Sequence, residues 1–591
     1  MFSQHKRLLR LLSPIGGGDC VVTSFHGAEQ ISDVYRFDVT LLSTTRIAHE
    51  KIIGTDIAVQ IVRENAARWF HGVIAAIVEN GTSANNIWQY RCEMVPALAL
   101  LEVAAHNRIF ENFSVVDIVT SIIRACGQRL DTSRLRTYSS RETCTQFGET
   151  DLAFVNRILA EEGIAYFFRQ QENGCVCVLV DSASGFDELT EKIATYTGMA
   201  RGSCEYRDVI TSWRPYFRFA TEQLTSIDYS EYATAPVRVD ASRELGAHTA
   251  CTSRMEYYGR HYFQRSSDAA RDIDLDARST QTERWLAALQ QDAGGVSGAG
   301  TVAGFSAGMR GQVTGVNGSE KTCFLLTRVV HDVADGNDSS SHYSNTFAGV
   351  LGDRGYVPPQ IWPRPRIYGV HSAKVLSVRD PQSTGANAEV KVAFAWHPTQ
   401  ASCWARVTQL HAGNRFGSYF MPEPGQEVLV QFLNADPDRP VVVGALYNRD
   451  HALPPYSATQ SGIRTRSTNF NELRFDDREG FEQLYMEAGR DHHYVINHDQ
   501  TGDISNNRYT TIQQGNDVTR VCSGNQTTDV AGEVTIRANG RITLQVGGSS
   551  LIIDATGISL NGTMVILQAN AQVEVSAGAV ASISGGVVNI N

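Results

Sequence analysis

No stretch of the 591-residue chain approaches the roughly 18 unbroken apolar residues that a membrane helix requires, so no spanning helix is expected. No secretory leader is expected either. In the opening MFSQHKRLLRLLSPIGGG, Arg10 interrupts the apolar run between two leucine pairs, so the chain is expected to start in the cytoplasm. The 11 cysteines form no disulfide framework: their number is odd and their positions are scattered. An excess of basic charge is also absent. The net charge of −11 is spread along the chain, which argues against a nucleic-acid partner.

The C-terminal part lacks more. No proline follows Pro455, no lysine follows Lys391, and no aromatic residue follows Tyr509. Residues 510–591 therefore cannot build a core from the bulky rings that fill ordinary ones. What they do contain is a rhythm. Ile496, Ile504 and Ile512 are eight apart, as are Ile536, Leu544, Ile552 and Leu560; Leu567, Val575 and Ile583 resume the spacing after a one-residue slip. Within the octets RITLQV, SLIIDA and GISLNG alternate as strands do, and Gly, Asn and Ser mark the corners.

An octet buries about two aliphatic side chains while fixing eight backbone units, and that exchange is unfavourable in one chain alone. It would also leave strand edges unpaired. Solenoid turns usually need about 20 or more residues, so eight is too short for a self-enclosed coil. Three chains that each supply one face close a prism. Residues 495–591 are therefore expected to form an intertwined trimeric β-helix, a stiff needle.

Upstream the reading is mainly β, with an α+β N-terminal region. Val34–Leu42 and Ile57–Val62 alternate as half-buried strands. Three helices interrupt the strands. Ser114 and Asp117 cap VVDIVTSIIRAC before Gly127; DLAFVNRILAEE ends at Gly163; and TQTERWLAALQQD starts on a Thr280–Glu283 box and ends at Gly294 and Gly295. The proline-dense YVPPQIWPRPR at 356–365 reads as an extended linker. Beyond it Lys374–Val378, Glu389–Trp396, Cys403–Leu410 and Glu427–Leu433 predict a small OB-type barrel. The expected division is 1–365 (two β-barrel-type subdomains with helices), 366–450 (OB-fold), 451–494 (neck) and 495–591 (needle).

The block SCWARVTQLHAGNRFGSYFMPEPGQEVLVQFLNADPDRPVVVGALYN, then NELRFDDREGFEQLYMEAGRD, DLAFVNRILAEEGIAYFF and GGSSLIIDATGISLNG, resemble the VgrG proteins of bacterial type VI secretion. The resemblance implies a protein similar to the fused hub and spike of contractile phage tails. On that pattern a homotrimeric ring seats on a hexameric tube protein of Hcp type, and the needle end carries a PAAR-repeat tip protein. Effector or adaptor proteins ride on it, and sheath contraction drives it through a target membrane and out of the cell. The candidate tip residues are Val587, Val588 and Ile590.

Chemistry is sparse. No GxSxG, HExxH or phosphate-binding loop occurs, and GAGTVAG at 298–304 follows a helix where a dinucleotide fingerprint follows a strand. Between Tyr447 and Glu472 there is no room for an inserted enzyme, and the chain reaches Asn591 still within the repeat. Glu161 and Glu162 read as a solvated helix flank, and Cys175 with Cys177 as strand thiols. Asp272, Asp274, Asp276 and Glu283 mimic a calcium loop, but Ala277 stands where glycine is needed. His492, His493 and His498 would be tripled by a threefold axis, yet solvated imidazoles are the expected state. The reading is a non-enzymatic spike without cofactor or metal. The alternatives are a spike with an unrecognised peptidoglycan-hydrolase or toxin activity, and a prophage tail hub.

Overall fold

The computed structural model describes residues 4–590 apart from 6, 13–18, 64–66, 84–85, 198–207, 230–235, 244–253, 259–274, 316–320, 337–340, 354, 380–387 and 398–401. Two compact units result, Met1–Arg466 with Glu472–Met486, and Ser467–Asn471 with Glu487–Asn591. No helix among the described residues is long and apolar enough to cross a membrane.

The first unit is built on a twelve-stranded sheet. Its midline is the antiparallel pairing of Cys20–Gln30 with Thr322–Ala334, strands that lie about three hundred residues apart. Alternation along these strands sends their apolar residues into two cores. Phe25, Phe37 and Phe70 pack in one, with Phe25 centred 4.7 Å from Phe37 and 4.8 Å from Phe70. Trp213, Phe305, Phe324 and Phe347 fill the other.

Two of the expected helices form where the caps are written. Val115–Ala125 begins at Ser114, whose Oγ accepts the Asp117 amide at 3.1 Å. Asp151–Glu162 begins at Thr150 and ends on Gly163 at φ +71°, a left-handed conformation that suits a residue without Cβ. The third helix corrects its expectation. It runs Leu275–Leu289, so Thr280 and Glu283 lie inside it and do not cap it. Burial of Trp285 and Leu286 against Leu224 and Ala241 extends the helix past the local cap signal. Asp276 and Glu283 are thus helical; Asp272 and Asp274 lie outside the described residues.

Val370–Val378, Glu389–Phe394, Ser402–Val407, Pro440–Leu446 and Glu427–Phe432 close a five-stranded barrel in that order. Val375, Val390, Val392, Phe394, Val428, Val430 and Phe432 fill it. A three-stranded sheet of Gln460–Arg464, Glu472–Asp476 and Gln483–Glu487 follows.

In the second unit the described residues form regular strands within the chain at Arg541–Val546, Ser549–Asp554 and Gly557–Asn561. They make an antiparallel meander, and its register revises the octet reading. Leu544 faces Leu551 and Leu551 faces Leu560, so Ile552 drops to the other face. The tight turns at Gly547 (φ +56°) and Gly557 (φ +141°), two of the glycines expected at corners, fold the chain back on itself.

Candidate assembly interface

The meander gathers its aliphatic residues, Ile552 apart, on one side. Ile542, Leu544, Leu551, Ile553, Ile558 and Leu560 share that side, because directly opposed residues of an antiparallel ladder point the same way. Leu544, Ile558 and Leu560 remain 60%, 73% and 53% exposed in the single chain. Ile496, Ile504, Ile512, Ile536, Leu567, Val575 and Ile583 are exposed as well. An apolar series of this length left open to water marks a surface that another chain covers.

At the far end Val587, Val588 and Ile590 are 81%, 46% and 84% exposed. His492, His493 and His498 are exposed too. His498 Nδ1 lies 2.9 Å from Asp499, and the His492 ring is centred 5.6 Å from Tyr494. Among the described residues no three His, Cys, Asp or Glu side chains of one chain converge as metal ligands.

The first unit holds an ionic cluster that corrects the reading of Glu161 and Glu162. These residues are not a solvated flank. Glu161 is buried, and it meets Arg141 at 2.8 Å and Arg157 at 3.1 Å. Arg157, with 2% of its side chain exposed, also reaches Glu149 at 2.6 Å, and Arg141 reaches Glu162 at 2.7 Å. Burial alone would raise the Glu161 carboxyl; Arg364, Arg157 and Arg141 outweigh it and hold the group well below the usual range.

Arg364 comes from the proline-rich stretch, and the barrel loop supplies its partners: Asp438 at 2.5 Å and Asp436 at 3.2 Å. Asp438 accepts the Thr145 amide at 2.7 Å as well. Burial, opposed by Arg364 and reinforced by Asp436, raises the Asp438 carboxyl. The expected linker is therefore pinned at Arg364, because its charge finds buried carboxylates that no local pattern announces.

Cys177 is buried and Cys175 half-buried, each with a free thiol. Burial pushes the Cys175 thiol up to about 12, so at neutral pH it is not the thiolate that a nucleophilic attack needs. Sequence reasoning missed a second buried group, Glu29, Ser306 and His331. Ser306 Oγ donates to Glu29 at 2.9 Å, and His331 lies 3.0 Å from the same carboxylate. The serine meets the glutamate and not the imidazole, and His331 is wholly buried, so the trio lacks both the geometry and the access of a nucleophilic triad.

Comparison with known proteins covers most of the chain. Residues 28–337 match the phage tail baseplate hub (GPD) family. Residues 371–447 match the type VI secretion system/phage-baseplate injector OB domain, and 461–559 the bacteriophage T4 gp5 C-terminal trimerisation domain. The type VI secretion system spike protein VgrG1c of Pseudomonas aeruginosa is 28% identical over 87% of this chain and 72% of its own length. VgrG1a of the same organism is 27% identical over 97% of this chain and 94% of its own. Among solved structures, the E. coli c3393 protein, described as a component of the type VI secretion system similar to the T4 tail proteins gp27 and gp5, superposes with a TM-score of 0.54. It is 21% identical and covers 74% of this chain and 100% of its own.

Proposed function

Since this chain belongs to the phage tail baseplate hub family, and within it to the VgrG spike proteins of type VI secretion, we propose that it acts as a homotrimeric, non-enzymatic puncturing spike. The observation that carries the reading is the uncovered aliphatic face of the 541–561 meander, within a region similar to a trimerisation domain. Three copies turned about one axis bury that face and give every strand edge a neighbour.

On this reading residues 1–365 form the ring that seats on a hexameric Hcp-type tube, 366–450 the barrel, 451–494 the neck, and 495–591 the needle. Val587, Val588 and Ile590, presented three times, dock a PAAR-repeat tip protein. Effector or adaptor proteins travel with the assembly. It is built in the cytoplasm and leaves through the type VI machinery into the medium or a target cell.

The test is export in a bacterium with a contractile sheath. The chain and the tube protein are expected outside the cell only when the sheath is functional. Export that persists without the sheath contradicts the proposal, and so does reproducible hydrolysis of peptidoglycan by the purified chain.

A further inference from the structure

The seam between the barrel and the preceding body has two parts of different character. One is apolar: Ile109 joins the barrel core, and Phe147 packs edge-on against Trp396 with centroids 5.3 Å apart. Such contact is non-directional and tolerates pivoting. The other part is ionic and directional. Arg364 spans Asp436 and Asp438, Thr145 donates its amide to Asp438 and its hydroxyl to the Pro437 carbonyl at 3.3 Å, and Ile367 donates its amide to the Ala435 carbonyl at 2.9 Å.

The barrel loop is held in an unfavourable shape to make these contacts. Asn434 and Ala435 are consecutive left-handed residues, at φ +55° and +58°, although both carry a Cβ. The turn that results directs Asp436 and Asp438 at one guanidinium. A buried ion cluster is a poor device for stability but a good one for fixing geometry, because each hydrogen bond specifies an angle as well as a distance.

We propose that Arg364, Asp436 and Asp438 are positioning residues that lock the angle of the barrel on the preceding body. The body lies on one side of this joint and the chain that leads to the needle on the other, so the joint sets the direction in which an axial thrust is passed along the chain. The angular lock rests on the seam geometry and not on the delivery reading, so either can fail without the other.

The test uses the full-length protein with Cys126, Cys175, Cys204, Cys251, Cys323 and Cys522 replaced by serine, carrying spin labels at Arg124→Cys on the body and Lys374→Cys on the barrel. Labelled chain is diluted with unlabelled chain. One narrow distance distribution is expected. Asp438→Asn and Arg364→Lys, the latter keeping charge but losing the planar fork, are each expected to broaden it at least about twofold. Lys391→Met, which breaks the half-exposed pair with Glu111 at the same seam, is expected to leave the width unchanged.

Equal widths in native protein and both variants overturn the proposal, as does a native distribution that is already broad. Should the variants fail to fold, hydrogen exchange of the native protein decides. The Thr145 and Ile367 amides, which bond to Asp438 and Ala435, are expected to exchange as slowly as those of the barrel strands, and fast exchange at both overturns the lock.

Discussion

His331 and Glu29 meet at 3.0 Å across the two strands that join the halves of the hub sheet, with 0% and 2% of their side chains exposed. Asn345 donates to the Tyr343 hydroxyl, which in turn faces His331 Nδ1 at 2.9 Å. The arrangement fits a neutral imidazole that accepts at Nδ1 and donates from Nε2 to Glu29.

This pair sets an acid limit. Burial depresses the His331 pKa below 6.5; Glu29 opposes the shift and nearby Arg68 adds to it. Below about pH 6.5 the unfolded chain therefore binds a proton that the folded chain refuses, and stability falls as pH drops toward the folded pKa. Melting temperatures at fixed protein concentration are expected to decline between about pH 7.5 and 5.5, and His331→Gln to flatten that decline. An unchanged slope in the variant contradicts the assignment.

Glu161→Gln removes the carboxylate that Arg141 and Arg157 share. Breaking a buried ion network on one side is expected to cost about 3–5 kcal/mol. Denaturant unfolding should show this loss, whereas Arg46→Ala, at a half-exposed pair with Glu79, should cost under about 1 kcal/mol.

Gly298 is required by close packing. A Cβ there would sit 2.4 Å from the Ser212 carbonyl oxygen and 2.3 Å from the Phe347 ring. Because one obstacle is backbone, the strands must part, and Gly298→Ala is expected to cost about 1–3 kcal/mol. Gly304, with nothing within 4 Å of a built Cβ, is the control; its alanine variant should melt like the native protein.

At the needle end, Val587→Asp with Ile590→Asp is expected to abolish binding of a PAAR-repeat protein in a pull-down while the mass of the assembly stays unchanged. Both residues are more than four-fifths exposed, so their loss removes no packing within the chain. Retained binding would move the tip site elsewhere.

Legibility followed the range of the interaction. Ser114, Asp117 and Gly163 act within one helical turn of the backbone they cap, so their helices were readable. The barrel strands were readable because their apolar residues alternate around well-marked turns. The buried cluster was not: the i,i+4 pair of Arg157 with Glu161 reads equally well as a solvated helix face, and the partners that bury it and pin Arg364 lie 20 and 74 residues away, in Arg141 and Asp438, and leave no periodic trace. The third helix began early because Trp285 found a distant sheet. The octet rhythm announced the needle but not its folding: period eight cannot distinguish a continuous strand from the meander that sets Leu544 opposite Leu551.

One chain cannot cover the aliphatic side of its own 541–561 meander. Native mass measurement tests it directly. The purified chain is expected near three times 64.9 kDa, and Leu544→Asp with Leu560→Asp, which places six carboxylates inside the closed prism, is expected to release single chains. A folded native chain that runs at 64.9 kDa, or a doubly substituted one that remains threefold, would contradict the account.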